Sequence, residues 1–109
     1  MRYAAKVDGN HGEVRDWLRA RAWYVRDVSR YPKFFDLIAS KDGRTCFVEA
    51  KNWNKPPSAR KLTPAQVLLH AEFIAAGLDV VVVETEADLA QFERPFSGRY
   101  YDQKTAAGM

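Results

Sequence analysis

Two strand-like runs, Phe34 to Ser40 and Thr45 to Asn52, flank Lys41-Asp42-Gly43-Arg44, and the Asp-Gly pair constrains the fold more than any other feature of the chain. A two-residue type I′ turn needs positive φ at both central positions, which glycine adopts freely and aspartate tolerates, so Asp42-Gly43 specifies a tight hairpin. The turn also sets the register. Ser40 is expected opposite Thr45, Ile38 opposite Phe47 and Asp36 opposite Glu49, which brings two carboxylates side by side. Directly opposed side chains have Cβ atoms about 4.5–5.5 Å apart, and like charges there are destabilising unless something compensates them. Glu49 and Lys51 are two residues apart on one strand and share that face. Cys46 alternates to the other face with Leu37, Val48 and Ala50, which assigns it to packing.

The segments around the hairpin complete the domain. Asn10 to Ala22 reads as a first helix, with Glu13, Val14, Trp17, Leu18 and Arg21 at helical spacing on its inward stripe. Trp23 to Ser29 is aromatic and β-branched and makes the hairpin a three-stranded meander. Asn54 to Lys61 is basic and proline-rich and reads as an exposed loop. Thr63-Pro64-Ala65-Gln66 opens a second helix, with Thr63 as N-cap, Pro64 at the first helical position and Gln66 closing a capping box; Gly77 ends it. The valine-rich run Leu78 to Val83 has the character of a strand buried on both faces, expected at the centre of the sheet. Glu86 to Glu93 is expected to form a short last helix, and Arg94 to Met109 a tail without periodicity. A crossover through the second helix suits parallel pairing. The fold class is therefore α/β: one domain, with its core over residues 9–93, built as a mixed sheet flanked by helices in the order helix, three strands, helix, strand, helix.

Bulk properties narrow the partners. A chain of 109 residues with 47% hydrophobic and 28% charged residues is too apolar for a disordered protein and long enough for one core. Lys+Arg 17 against Asp+Glu 14 leaves a net +3, an excess that permits a polyanionic partner. Cys46 is alone, so no intrachain disulfide forms, and no Cys/His cluster has the spacing of a structural zinc site. No signal peptide is expected in residues 1–10, and no segment approaches the ~20 apolar residues of a membrane span. These features suit a soluble cytoplasmic protein with no membrane partner and no organic cofactor.

Asp36, Glu49 and Lys51 together suit phosphodiester hydrolysis. Carboxylate oxygens hold Mg²⁺ or Mn²⁺, which polarises a phosphate and acidifies bound water, while an ammonium group positions the water or stabilises developing charge. The backbone carbonyl of Ala50 and the carboxylate of Glu13 are further candidate ligands, and Glu13 a candidate base contact. Phe35-Asp36 followed across a hairpin by Glu49-Ala50-Lys51 resembles the D…ExK signature of the PD-(D/E)xK nuclease superfamily, with Asp36, Glu49 and Lys51 on its catalytic positions. A helix bearing Glu13 before the first strand, and Gln66 opening the helix after the ExK strand, are similar to the VRR-NUC nucleases and the archaeal-type Holliday junction resolvases. The resemblance covers roughly Gly9 to Asp88. It implies a restriction-endonuclease-like core, Mg²⁺-dependent endonuclease cleavage of DNA, a preference for branched, junction or flap structures, and homodimers. The motif's proline is Phe35 here, with Pro32 the only proline nearby, so the start of that strand is expected to depart from the pattern.

Plainer readings stand beside these. An isolated E-x-K is commonly a surface ion pair, and only the hairpin register separates this one from that background. Glu13 is also what a helix dipole favours in a first turn, Gln66 is also what a capping box needs, and His70, one turn after Gln66, reads as polar surface. Arg30, Lys33, Lys55, Arg60 and Lys61 flank the acidic strands and are candidate phosphate contacts, with Tyr31, Phe34 and Trp53 interleaved as candidate stacking partners. The rival function is a non-catalytic nucleic-acid-binding or assembly module on the same fold, with a charged cluster that holds no metal.

Overall fold

The computed structural model describes residues 10–94, which run α1 (His11–Arg19), β1 (Tyr24–Asp27), β2 (Leu37–Lys41), β3 (Arg44–Ala50), α2 (Pro64–Ala75) and β4 (Asp79–Val83), with 3₁₀ segments at Pro57–Arg60 and Glu86–Glu93. Most of the tail expected from Arg94 onward, and the residues before Asn10, lie outside the described part. No helix among the described residues is long and apolar enough to cross a membrane.

Asp42 has φ 51° and Gly43 φ 84°, the pair of positive values that the tight turn demands. The hairpin register follows from it: Lys41 pairs with Arg44, Ser40 with Thr45, Ile38 with Phe47 and Leu37 with Val48. The sheet order is β1-β2-β3-β4, antiparallel except for the parallel β3–β4 pair that the α2 crossover produces. The fold is thus a small α/β domain with a mixed four-stranded sheet.

The valine-rich strand departs from expectation in two respects. β4 lies at the edge of the described sheet, and β3 holds an inner position. Asp79, Val81 and Val83 are buried while Val80 and Val82 are only half-buried, so the unbroken apolar run is one-sided in its packing. The reason is unequal cover. On one face α1 and the segment Glu86–Glu93 close a core of Val14, Leu18, Val25, Leu37, Ala39, Cys46, Val48, Val81, Val83, Leu89 and Phe92. On the other, Phe73 of α2 packs with Phe34, Phe35 and Phe47 in an aromatic cluster.

Both helices end on the same hydrogen-bond motif. After α2, Leu78 N–H donates to Phe73 (3.0 Å) and Gly77 N–H to Ile74 (2.9 Å), with Gly77 at φ 88°. After α1, Trp23 N–H donates to Leu18 (3.1 Å) and Ala22 N–H to Arg19 (3.1 Å), with Ala22 forced to φ 70° where a glycine would be unstrained. The first helix therefore stops at Arg19, short of the expected Ala22. The expected last helix is a 3₁₀ segment capped by Thr85, and the basic loop contains a 3₁₀ turn.

Candidate functional site

The hairpin ladder stops at Leu37–Val48, and Asp36 continues beyond it in a different way. Its N–H donates to the Val48 carbonyl at 2.9 Å, and its side-chain Oδ2, in place of a backbone oxygen, accepts the N–H of Ala50 at 2.9 Å. That bond turns the carboxyl group inward, onto the same cavity that Glu49 lines. Glu49 is 4% exposed despite its charge.

Gln66 at the start of α2 ties the cluster together. Its Nε2 donates to Glu49 Oε2 at 2.9 Å, and its Oε1 accepts from Lys51 Nζ at 2.9 Å and from Thr63 N–H at 2.9 Å. The Thr63 hydroxyl accepts from Gln66 N–H at 3.2 Å in return, so one residue serves both as the capping-box partner and as the link between Glu49 and Lys51.

The electrostatics follow from burial. Desolvation raises the Glu49 carboxyl to about 8, the Asp36 charge pushing the same way and Lys51 opposing. Burial also raises Asp36, against the Ala50 hydrogen bond and the nearby His11 and Lys51. Two acids with raised values side by side describe a site short of positive charge. Glu49 Oε1 sharpens the point, being buried with no hydrogen-bond donor. Among the described residues no group of three or more His, Cys, Asp and Glu side chains is arranged to hold a metal. Mg²⁺, however, is usually held by one or two carboxylates, with water and substrate phosphates completing its shell. A carboxylate pair with an orphaned, buried oxygen fits that demand, and Ala50 lines the same cavity.

The acids and Lys51 line a cavity of about 180 Å³ with Gln66, Ala50, Asn52, Lys55, Ala59, His11 and Ser29. Of the basic residues proposed from sequence, only Lys55 reaches this wall. Arg30, Lys33 and Lys61 are exposed elsewhere, and Arg60 turns away to donate to the Glu84 carbonyl at 3.1 Å. Tyr31 is exposed, whereas Trp53 packs on the core and Phe34 joins the aromatic cluster.

Glu13 does not line the cavity either. It is exposed and accepts a hydrogen bond from the Asn10 side chain, so its place on an inward stripe is corrected. α1 instead offers His11, buried, with Nε2 at 3.4 Å from both Asp27 Oδ2 and Ser29 Oγ. Asn10 docks this helix end beside the cavity, its Oδ1 accepting the Trp53 N–H at 2.9 Å. His70 is also not the surface residue expected: it is 5% exposed, stacked on Phe35, with Nε2 at 3.6 Å from Glu49 Oε1. Cys46 is buried and its thiol is pushed up to about 12 by desolvation and the adjacent Asp79, so it stays protonated and unreactive.

No protein-family model, no curated protein and no solved structure matches this chain.

Proposed function

We propose that this protein is a Mg²⁺- or Mn²⁺-dependent endonuclease of the PD-(D/E)xK type that hydrolyses phosphodiester bonds in DNA, with branched, junction or flap structures as its substrates. The observation that carries the reading is the pair of Asp36 and Glu49 carboxyls beside Lys51 in one cavity, with a buried Glu49 oxygen left without a donor. Asp36, Glu49 and the Ala50 carbonyl would hold the ion, which supplies Lewis-acid activation of the phosphate and of a bound water. Lys51, fixed by Gln66, holds a proton-bearing cation where negative charge develops on the phosphate. Lys55 at the rim supplies a phosphate contact, and the exposed Lys61, Arg30 and Lys33 a wider electrostatic approach for DNA.

A homodimer belongs to the same reading. The outward face of α2 carries Val67, Leu68 and Ile74 exposed, with Leu78 just past the helix and Ala71 at its middle. Antiparallel pairing of two such helices across Ala71 would bury that face. Sedimentation should find a dimer that Leu68→Glu converts to monomers; a wild-type monomer at micromolar concentration would remove this part of the proposal.

The direct test is cleavage of labelled linear duplex, single-stranded, flap and four-way-junction DNA with Mg²⁺, Mn²⁺ or EDTA. Cleavage should require the ion, and Lys51→Ala should lower it by at least ~10²-fold while leaving DNA binding largely intact. The rival reading is a non-catalytic nucleic-acid-binding or assembly module on the same fold. Binding without cleavage under any ion would decide for it.

A further inference from the structure

Two buried polar atoms without hydrogen-bond partners face each other beneath the α2 helix: Glu49 Oε1 and His70 Nε2, 3.6 Å apart. That separation is longer than a hydrogen bond by about 0.6 Å. A buried polar atom left unpaired costs about 1–3 kcal/mol, so two of them in register call for an explanation.

The surroundings show what holds the imidazole there. Its ring lies on Phe35 at 4.8 Å between centroids and 20° between planes, and Phe35 is fully buried. Phe35 stands where the resembling motif has proline, and it packs in turn on Phe47 and Phe73. One turn earlier on the same helix face, Gln66 already holds the other oxygen, Oε2. α2 thus presents one donor to each oxygen of Glu49, one closed and one open.

We propose that His70 is a positioning residue for Glu49: its Nε2–H closes on Oε1, and with Gln66 fixes which lone pairs face the cavity. Outer partners of this kind typically alter metal affinity by about 10–100-fold. The proposal rests on the reading of Glu49 as a metal ligand, and two separate measurements keep the two apart.

The first measurement needs neither metal nor variant. Long-range ¹H–¹⁵N spectra of the full chain at neutral pH should show His70 as the Nε2–H tautomer, with a proton that exchanges with solvent faster in Glu49→Ala. An Nδ1–H tautomer overturns the proposal whatever the metal does. The second measurement is Mn²⁺ binding, followed by electron paramagnetic resonance of the free ion. His70→Phe keeps the stack on Phe35 and removes the donor, and it should bind Mn²⁺ at least ~10-fold more weakly than wild type while keeping its metal-free Tm; His70→Gln, which restores a donor, should recover most of the loss. Wild-type affinity in His70→Phe overturns the proposal. Wild-type protein that binds no Mn²⁺, or binds it equally after Asp36→Ala, overturns the metal reading instead and leaves the tautomer to decide on His70.

Discussion

β3 carries a buried charge near each end, and the two ends treat it in opposite ways. Near the hairpin turn, Arg44 meets Asp79 of β4 at 2.7 Å, with side chains 7% and 2% exposed, and its Nη1 also donates to the carbonyl of Arg94 at 3.0 Å. At the far end, five residues along and roughly 17 Å away, Glu49 meets another carboxyl group and one of its oxygens has no donor. Desolvation costs several kcal/mol per buried ion, and opposite charge with good hydrogen bonds offsets it only where both are present. The turn end is therefore a buried pair of opposite charges. The open end sets two carboxyl groups together without such a partner pair, which teaches that the cost of a buried carboxyl depends on what lies beside it.

The largest expected effect separates the two ends by sign. Asp79→Ala leaves the Arg44 guanidinium buried without its carboxylate and should lower stability by about 3–5 kcal/mol, with no effect on cation binding at the other end. Glu49→Gln should do the reverse in metal-free buffer and raise stability at alkaline pH. The sign follows from linkage: the folded Glu49 carboxyl titrates near 8 against a reference of 4.5, so between those values the folded state binds more protons than the unfolded one. Wild-type stability should fall as pH rises through that window, and the fall should be shallower in Glu49→Gln. Urea unfolding at pH 5 and pH 9 measures both. Parallel pH profiles for wild type and Glu49→Gln would mean that the open end is not strained.

A smaller effect comes from adding the missing charge. An ion that binds only the folded state stabilises it by about 2.7 kcal/mol at a hundred times its dissociation constant. Mg²⁺ or Mn²⁺ should thus raise the wild-type Tm by several degrees, and EDTA should reverse it. The shift should vanish in Asp36→Asn and Glu49→Gln and survive in a conservative change at the turn end, Asp79→Asn, if that variant folds. An equal shift in all of them would show the ion to act elsewhere on the surface.

The two ends were not equally legible in the sequence. The turn chemistry of Asp42-Gly43 is local, and local chemistry carries register over five residues, which is why the pairs from Lys41–Arg44 to Leu37–Val48 could be read without a structure, whereas the side-chain bond that takes Asp36 out of the ladder could not. Lys51 and Gln66 followed from strand alternation and a capping pattern. Glu13 and His11 did not, because a stripe through residues 13, 14, 17, 18 and 21 spans more than one face; the helix turns Val14 and Leu18 inward, which carries His11 with them and leaves Glu13 in solvent. His70 was hidden for a different reason. α2 is apolar nearly all round, with Val67, Leu68 and Ile74 exposed, so its sequence has no polar face against which an inward histidine could be recognised. The Arg44–Asp79 pair joins residues 35 apart in sequence, and nothing short of the β3–β4 register places them together.

The smallest expected effect tests how far the positive charge around the open end reaches. Lys51 is half-buried and fixed to Gln66, whereas Lys61 is exposed and outside the cavity wall. A lysine that meets only a phosphate contributes through released counterions, so Lys61→Ala should weaken binding to every DNA structure about equally and reduce the slope of log K against log salt by ~0.9. Cleavage at saturating DNA should be unchanged, because Lys61 touches none of the groups in the cavity. A drop in saturated cleavage would move Lys61 into the site, while an unchanged salt slope would confine the DNA contact to Lys55 and the residues beside the carboxylates.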